Sequence, residues 1–349
     1  MDALVDRLIC EHRLDATQLG SLLESCDDRA FNILKEHAAE VAQSRFGRRV
    51  YIRGLIEVSN YCRNNCLYCG IRRDNRAVER YRLTDEQILS ACEAGYRMGF
   101  RTFVMQGGED GALADKRLVP LIATIHARYP DCAITLSLGE RSKESYMALY
   151  EAGARRYLLR HESASPQLYA SLHPSDMSWS NRIECIKTLK QIGYQTGMGM
   201  MVGAPGQTIE HLVQDLMLLQ QIRPQMVGIG PFIPHSATPL GQYPAGSVQT
   251  TLLLISIIRL LLPDALIPST TALATLSPMA QIEGIAAGAN VIMPNLSPTD
   301  VRRNYEIYEG KAAFGTEAAE GLKMLSDRLA TINYEISYDI GNYKEEVKI

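Results

Sequence analysis

Cys62, Cys66 and Cys69 are spaced by three and then two residues in the run Ser59-Asn60-Tyr61-Cys62-Arg63-Asn64-Asn65-Cys66-Leu67-Tyr68-Cys69-Gly70. Asn60, Asn64, Asn65 and Gly70 favour a loop over a regular helix, and the flanking asparagines and arginines do not suit a buried core position. Thiolates at this spacing can converge on one soft metal centre, zinc or an iron–sulfur cluster. A structural zinc takes four ligands, and no nearby cysteine or histidine offers a fourth. Four-iron clusters are usually held by four cysteines. Three ligands on a loop therefore imply a cluster with one iron left open for a small molecule.

Two further segments carry chemistry. Gln106-Gly107-Gly108-Glu109-Asp110 follows an apolar run, and glycines there let the backbone approach a ligand closely. Arg156-Tyr157-Leu158-Leu159-Arg160-His161-Glu162-Ser163 places two arginines four apart, on one face of a strand, ahead of His and Glu. Arginine suits bidentate capture of carboxylates; the plainer alternative is an Arg–Glu pair that only braces the structure.

The elements that must position these residues repeat along the chain. From Val50 onward, eight short β-rich runs alternate with amphipathic helical stretches: Val50 to Val58, Thr102 to Met105, Ala133 to Leu138, Arg156 to Arg160, Thr196 to Val202, Met226 to Pro231, Ala265 to Thr270 and Asn290 to Met293. Helix stretches include Asp85 to Met98, Ser142 to Ala152, Trp179 to Ile192, Ile209 to Ile222 and Thr250 to Leu262, several ending at glycine. The pattern predicts an α/β fold, a (β/α)8 TIM-type barrel with an N-terminal helical extension; an open doubly wound sheet is the alternative. Polar residues crowd the C-terminal ends of the runs (Ser59, Gln106, Ser137, Arg160, Thr270), where a parallel barrel places its active site. The expected division is a helical extension over 1–45 with two candidate helices, a barrel over 46–310, and a helical tail over 311–349.

The Cys-x3-Cys-x2-Cys loop after the first strand, with Tyr68 before its last cysteine, resembles the radical S-adenosylmethionine (SAM) superfamily. That resemblance implies one 4Fe-4S cluster on the three cysteines. SAM would be chelated to the open iron and cleaved by one electron to methionine and a 5'-deoxyadenosyl radical. It further implies SAM contacts at Tyr68, Gly107, Gly108, Glu109, Ser137, Glu162, Arg182, Met201 and Ile229. Met198 and Met200 read instead as gap-filling core. Longer strings narrow the match: Leu136 to Glu140, Arg156 to Glu162, Gly203 to Thr208, Gly228 to His235 and Ile267 to Thr271 look like the HydE family of maturases, which help build the di-iron site of iron-only hydrogenase. This resemblance runs from about Val50 to Tyr308. It implies a small carboxylate-bearing substrate, an iron carbonyl cyanide carried on cysteine, held by Thr135, Arg156, Arg160, Thr270, Thr271 and Tyr305.

Other readings are weighed beside it: a radical mutase like methylornithine synthase, and a non-catalytic scaffold that carries iron–sulfur clusters. The Gly-Gly-Glu segment and the arginines speak against a pure carrier. No cysteine follows Cys185, so the second, C-terminal cluster of some relatives is not expected. Cys10, Cys26, Cys92, Cys132 and Cys185 read as packing or surface thiols, which disfavours sulfur insertion. The net charge of −3 argues against a nucleic-acid surface, and the longest apolar stretch is too short to span a bilayer. With no basic-then-apolar leader, secretion is not signalled. The expectation is a cytoplasmic enzyme with a small-molecule substrate, a reducing electron donor and other hydrogenase maturases as partners, and neither nucleic acid nor membrane.

Overall fold

The computed structural model describes residues 2–311 and 318–343. Six parallel strands form one sheet in the order β2 (Gly54–Ser59), β3 (Thr102–Gly107), β4 (Ala133–Ser137), β5 (Ala154–Leu158), β6 (Gln195–Met198) and β8 (Met226–Val227). Short strands β7 (Met201–Val202) and β9 (Gly230–Pro231) extend β6 and β8 as a separate parallel pair.

The sheet closes. Met226 bridges Leu266, Pro268 bridges Val291 of β10 (Val291–Ile292), and Asn295 bridges Leu55 of β2, all in parallel. Backbone bonds join each seam: Val227 N to Leu266 O at 3.0 Å, Ser269 N to Val291 O at 2.9 Å, and Leu55 N to Pro294 O at 2.9 Å. The seventh position is an irregular strand because Pro268 has no N–H to give, and Asn290 Oδ1 accepts from Ile267 N at 2.8 Å. The eight runs thus form a closed barrel rather than an open sheet. On its far side, β1 (Arg49–Ile52) lies between β10 and β11 (Glu335–Ser337), so the chain's tail adds a strand at the N-terminal end of the barrel.

Local signals set the helices that aim the site. Thr84 and Gln87 form a reciprocal capping box at the start of Asp85–Arg97. Ser178 caps Trp179–Ile192, which stops at Gly193 with φ of 104°; this start fixes Arg182 in the first turn. The N-terminal extension holds three helices (Asp2–Glu11, Ala16–Ser25 and Asp28–Phe46) where the sequence pattern suggested two. The break at Cys26 and Asp27 is a real one, because Asp27 accepts from Ala30 N and caps the third. The tail holds helix Ala318–Ala330 and then β11, not a helix alone.

Candidate active site

β2 delivers the cysteine loop to the C-terminal mouth of the barrel. Asn60 fixes the take-off: its amide nitrogen donates to Glu79 O (2.8 Å) and Asn304 O (2.6 Å), while its oxygen accepts from Tyr81 N (2.8 Å). Arg80 fills the loop's centre, donating to the carbonyls of Asn60, Ile71, Arg72 and Asn75. Gly70 closes it, since a Cβ there would lie 2.2 Å from Glu306 O. All three thiols are free and border one cavity of about 310 Å³. Burial raises the pKa of each, that of Cys69 to about 12, and neighbouring cysteines add to the rise at Cys66 and Cys69. Among the described residues, no three thiol, imidazole or carboxylate groups converge as a single ion requires. Three thiols that border one cavity fit the protein ligands of a four-iron cluster.

The β3 end is built against this loop. A Cβ at Gly108 would sit 2.3 Å from Tyr61 O and 2.7 Å from Cys62 Cβ, so only glycine lets the two segments touch. The Glu109 carboxylate is held from two sides: Arg63 Nε donates to it at 3.0 Å and Glu140 N at 2.9 Å. Glu109 therefore ties β3 to the cysteine loop and to the turn after β4, and it borders the cavity together with Gly107 and Gly108. Ser137, at the end of β4, also borders the cavity.

Beyond β5, Glu162 takes a left-handed conformation (φ 62°). Arg160 Nη2 donates to Met200 O at 2.5 Å and lies 3.3 Å from Glu162 Oε2; its Nε is buried without a partner. Arg182 donates from Nε to Glu140 Oε1 and from Nη1 to Arg160 O, each at 2.6 Å. Met201 packs with Leu168, Leu172, Phe232 and Tyr68 as an apolar wall. The Tyr68 hydroxyl lies 3.3 Å from His173 Nε2, and His173 Nδ1 donates to Tyr169 O at 2.8 Å. Thr270 and Thr271 border the cavity, the Thr270 hydroxyl without a partner. Tyr305 does too, its hydroxyl accepting from Gln106 Nε2 at 3.3 Å.

Three expected contacts are not at the cavity. Arg156 shares the barrel-facing side of its strand with Leu158 and Arg160, yet four residues of strand separate the two arginines by about 13 Å. It is fully buried at the opposite end, donating to Ile340 O (2.8 Å), Gly341 O (3.0 Å), Asn342 Oδ1 (2.7 Å) and Thr102 Oγ1 (3.1 Å). Thr135, its register partner on β4, is buried one step below Ser137 and does not line the cavity. Ile229 belongs to the main apolar core, while its neighbours Gly228 and Gly230 face the cavity, as strand alternation requires. Met198 and Met200 are core, as read from the sequence. None of Cys10, Cys26, Cys92, Cys132 and Cys185 lines the cavity.

Sequence reasoning missed Glu57 and Lys311. Lys311 Nζ pairs with the fully buried Glu57 carboxylate and donates to Tyr305 O at 3.1 Å, and Asn295 Nδ2 donates to Glu57 Oε2 at 2.8 Å. A carboxylate within the all-buried β2 was the available signal. Residues 304–311 form a strap over the mouth, pinned by Asn60 at Asn304, by Gly70 N to Ile307 O (2.8 Å) and by Glu309 N to Pro234 O (3.0 Å). The expectation of no second, C-terminal cluster falls in part on residues 312–315, which lie outside the described residues.

A closed parallel barrel with a three-thiol loop and a glycine cradle at its C-terminal mouth defines a radical SAM enzyme, and the Radical SAM superfamily model matches residues 56–219. Among relatives, the [FeFe] hydrogenase maturase subunit HydE of Thermotoga maritima is 47% identical over 288 residues, 82% of each chain. The chain belongs to this family of radical SAM hydrogenase maturases. The 3-methylornithine synthase of Methanosarcina acetivorans is more distant, at 28% identity over 311 residues, 88% of this chain and 87% of the relative. A crystal structure of methylornithine synthase superposes with a TM-score of 0.80 at 26% identity, covering 96% of this chain and 97% of the other. Membership brings a 4Fe-4S cluster and SAM as cofactors. No helix among the described residues is long and apolar enough to cross a membrane.

Proposed function

We propose that this enzyme acts in assembly of the di-iron site of an iron-only hydrogenase, on a small carboxylate-bearing substrate, a cysteine-bound iron carbonyl cyanide. In this reading Cys62, Cys66 and Cys69 hold a single cluster. With SAM it supplies a reductively generated 5'-deoxyadenosyl radical.

The protein's own residues bind, orient and exclude water. Gly107 and Gly108 offer backbone groups to the SAM amino end, Arg182 its guanidinium to the carboxylate, Glu162 its carboxylate to the nucleoside, and Tyr68 and Met201 an apolar wall. Arg160, Thr270, Thr271 and Tyr305 receive the substrate. The observation that carries this assignment is the unpartnered Arg160 Nε and Thr270 hydroxyl in the cavity that the three thiols border. Buried donors left open are costly, and a bound carboxylate would satisfy them.

The test is 5'-deoxyadenosine formation by the cluster-loaded enzyme with and without a cysteine-bound iron carbonyl cyanide complex. Stimulation that Arg160→Ala removes, with the cluster spectrum unchanged, supports the reading. Stimulation by a free amino acid instead, with a rearranged amino acid as product, would mark a mutase.

A further inference from the structure

We propose that His161 and Asp215 are positioning residues, a buried clamp that holds Glu162 in the conformation from which its carboxylate reaches the SAM pocket. The proposal rests on the reading of Glu162 as a nucleoside contact.

A non-glycine residue in the left-handed region is strained, because its Cβ crowds the following carbonyl, and it persists only where its surroundings over-determine it. At Glu162 they do. Its N–H donates to Gly199 O at 3.0 Å, and Ser163 N closes back on His161 O at 2.8 Å. The residues on either side are fixed by one carboxylate. His161, fully buried, accepts from Gly199 N at Nδ1 (3.3 Å), so Nε2 carries the proton and donates to Asp215 Oδ1 at 3.0 Å. The same oxygen accepts from Ala164 N at 2.5 Å. Asp215 is also fully buried and comes from Ile209–Ile222, a helix outside the barrel, so the bend after β5 is anchored through the wall to the outer layer.

Stability alone does not explain such a pair, because replacing both partners of a buried hydrogen bond by apolar groups of the same shape can be nearly neutral or stabilising. What the carboxylate adds is direction: it pins positions 161 and 164 together, and the turn between them projects Glu162 inward, where it borders the cavity. Neither His161 nor Asp215 lines the cavity, so their action passes through Glu162.

The experiment measures KM for SAM and kcat of cluster-loaded enzyme for Asp215→Leu, which removes the oxygen that accepts both bonds, for Glu162→Gln and for the double variant, with iron content as the loading control. Expected is a roughly tenfold rise in KM for each single variant, as loss of a hydrogen bond to a charged group implies, with kcat and iron content little changed in Asp215→Leu. In the double variant Asp215→Leu should add nothing to Glu162→Gln. An unchanged KM in Asp215→Leu, or effects that multiply in the double variant, would overturn the clamp. If Glu162→Gln itself leaves KM unchanged, the nucleoside reading fails and the proposal falls with it. Should Asp215→Leu not load iron, the paired His161→Leu/Asp215→Leu variant, which leaves no imidazole without its acceptor, carries the same comparison.

Discussion

At neutral pH the three site thiols are held protonated by their surroundings until iron takes the proton's place. Burial raises Cys62, Cys66 and Cys69 together, and the nearness of the others penalises a second and third thiolate. Metal loading must therefore release protons. Anaerobic reconstitution followed by the cluster chromophore should run faster at pH 8.5 than at pH 7, and a rate independent of pH would contradict the thiol assignment. Cys66→Ala should lose both four-iron binding and SAM cleavage. His173 behaves oppositely. Burial first, then the charge of Arg182, outweigh the Tyr169 carbonyl and push its pKa down to about 3. An unfolded histidine titrates near 6.5. Between those values the unfolded chain binds the extra proton, so this contribution is full above about pH 6.5 and is lost as pH falls toward 3. Urea unfolding at pH 7.5 and 5.5 should show that loss, and His173→Gln should shrink it.

The strap over residues 304–311 and strand β2 meet through Lys311 and Glu57, which are far apart in sequence and closed in from both sides. Breaking a buried pair by removing one partner costs about 3–5 kcal/mol, whereas replacing both with apolar residues is often neutral. Lys311→Met should accordingly destabilise the protein by about 3 kcal/mol or more, and Lys311→Met/Glu57→Leu should regain most of it, as chemical denaturation would measure. The cysteine loop, the glycine turn and the polar strand ends were legible in the sequence because each is a local pattern at fixed spacing. Depth within the barrel was not. Alternation tells which side of β5 Arg156 and Arg160 share, but only the closed barrel shows that one faces the mouth and the other the floor. The Glu57–Lys311 pair was invisible for the same reason, since 254 residues separate its members.

Across the whole molecule, the two ends of the chain complete the barrel from outside. Asp28–Phe46 packs on Val248–Leu261, whose fully buried Arg259 donates to Pro263 O, Ala265 O and Gly288 O at 2.8 Å each. At the floor, β11 pairs with β1, and residues 340–342 supply three of the acceptors that satisfy Arg156. Removing the chain after Ala330 takes away three of that guanidinium's four acceptors and the strand paired with β1. We expect a lower thermal midpoint in the truncated protein, whereas Arg156→Met should leave the substrate's stimulation of 5'-deoxyadenosine formation unchanged. Loss of that stimulation in Arg156→Met would return the residue to the site. The eight-run periodicity made the barrel legible; the tail strand was too short and too dependent on β1 to be read in advance.

The most direct test of the central claim is chromatography for 5'-deoxyadenosine after anaerobic iron–sulfur reconstitution and addition of dithionite and SAM, for the wild type and Cys66→Ala side by side. The account predicts about four irons per chain and 5'-deoxyadenosine in the wild type, and neither in the variant. Equal cleavage by Cys66→Ala, or intact SAM over a reduced, fully loaded wild-type cluster with the iron carbonyl cyanide complex present, would contradict it.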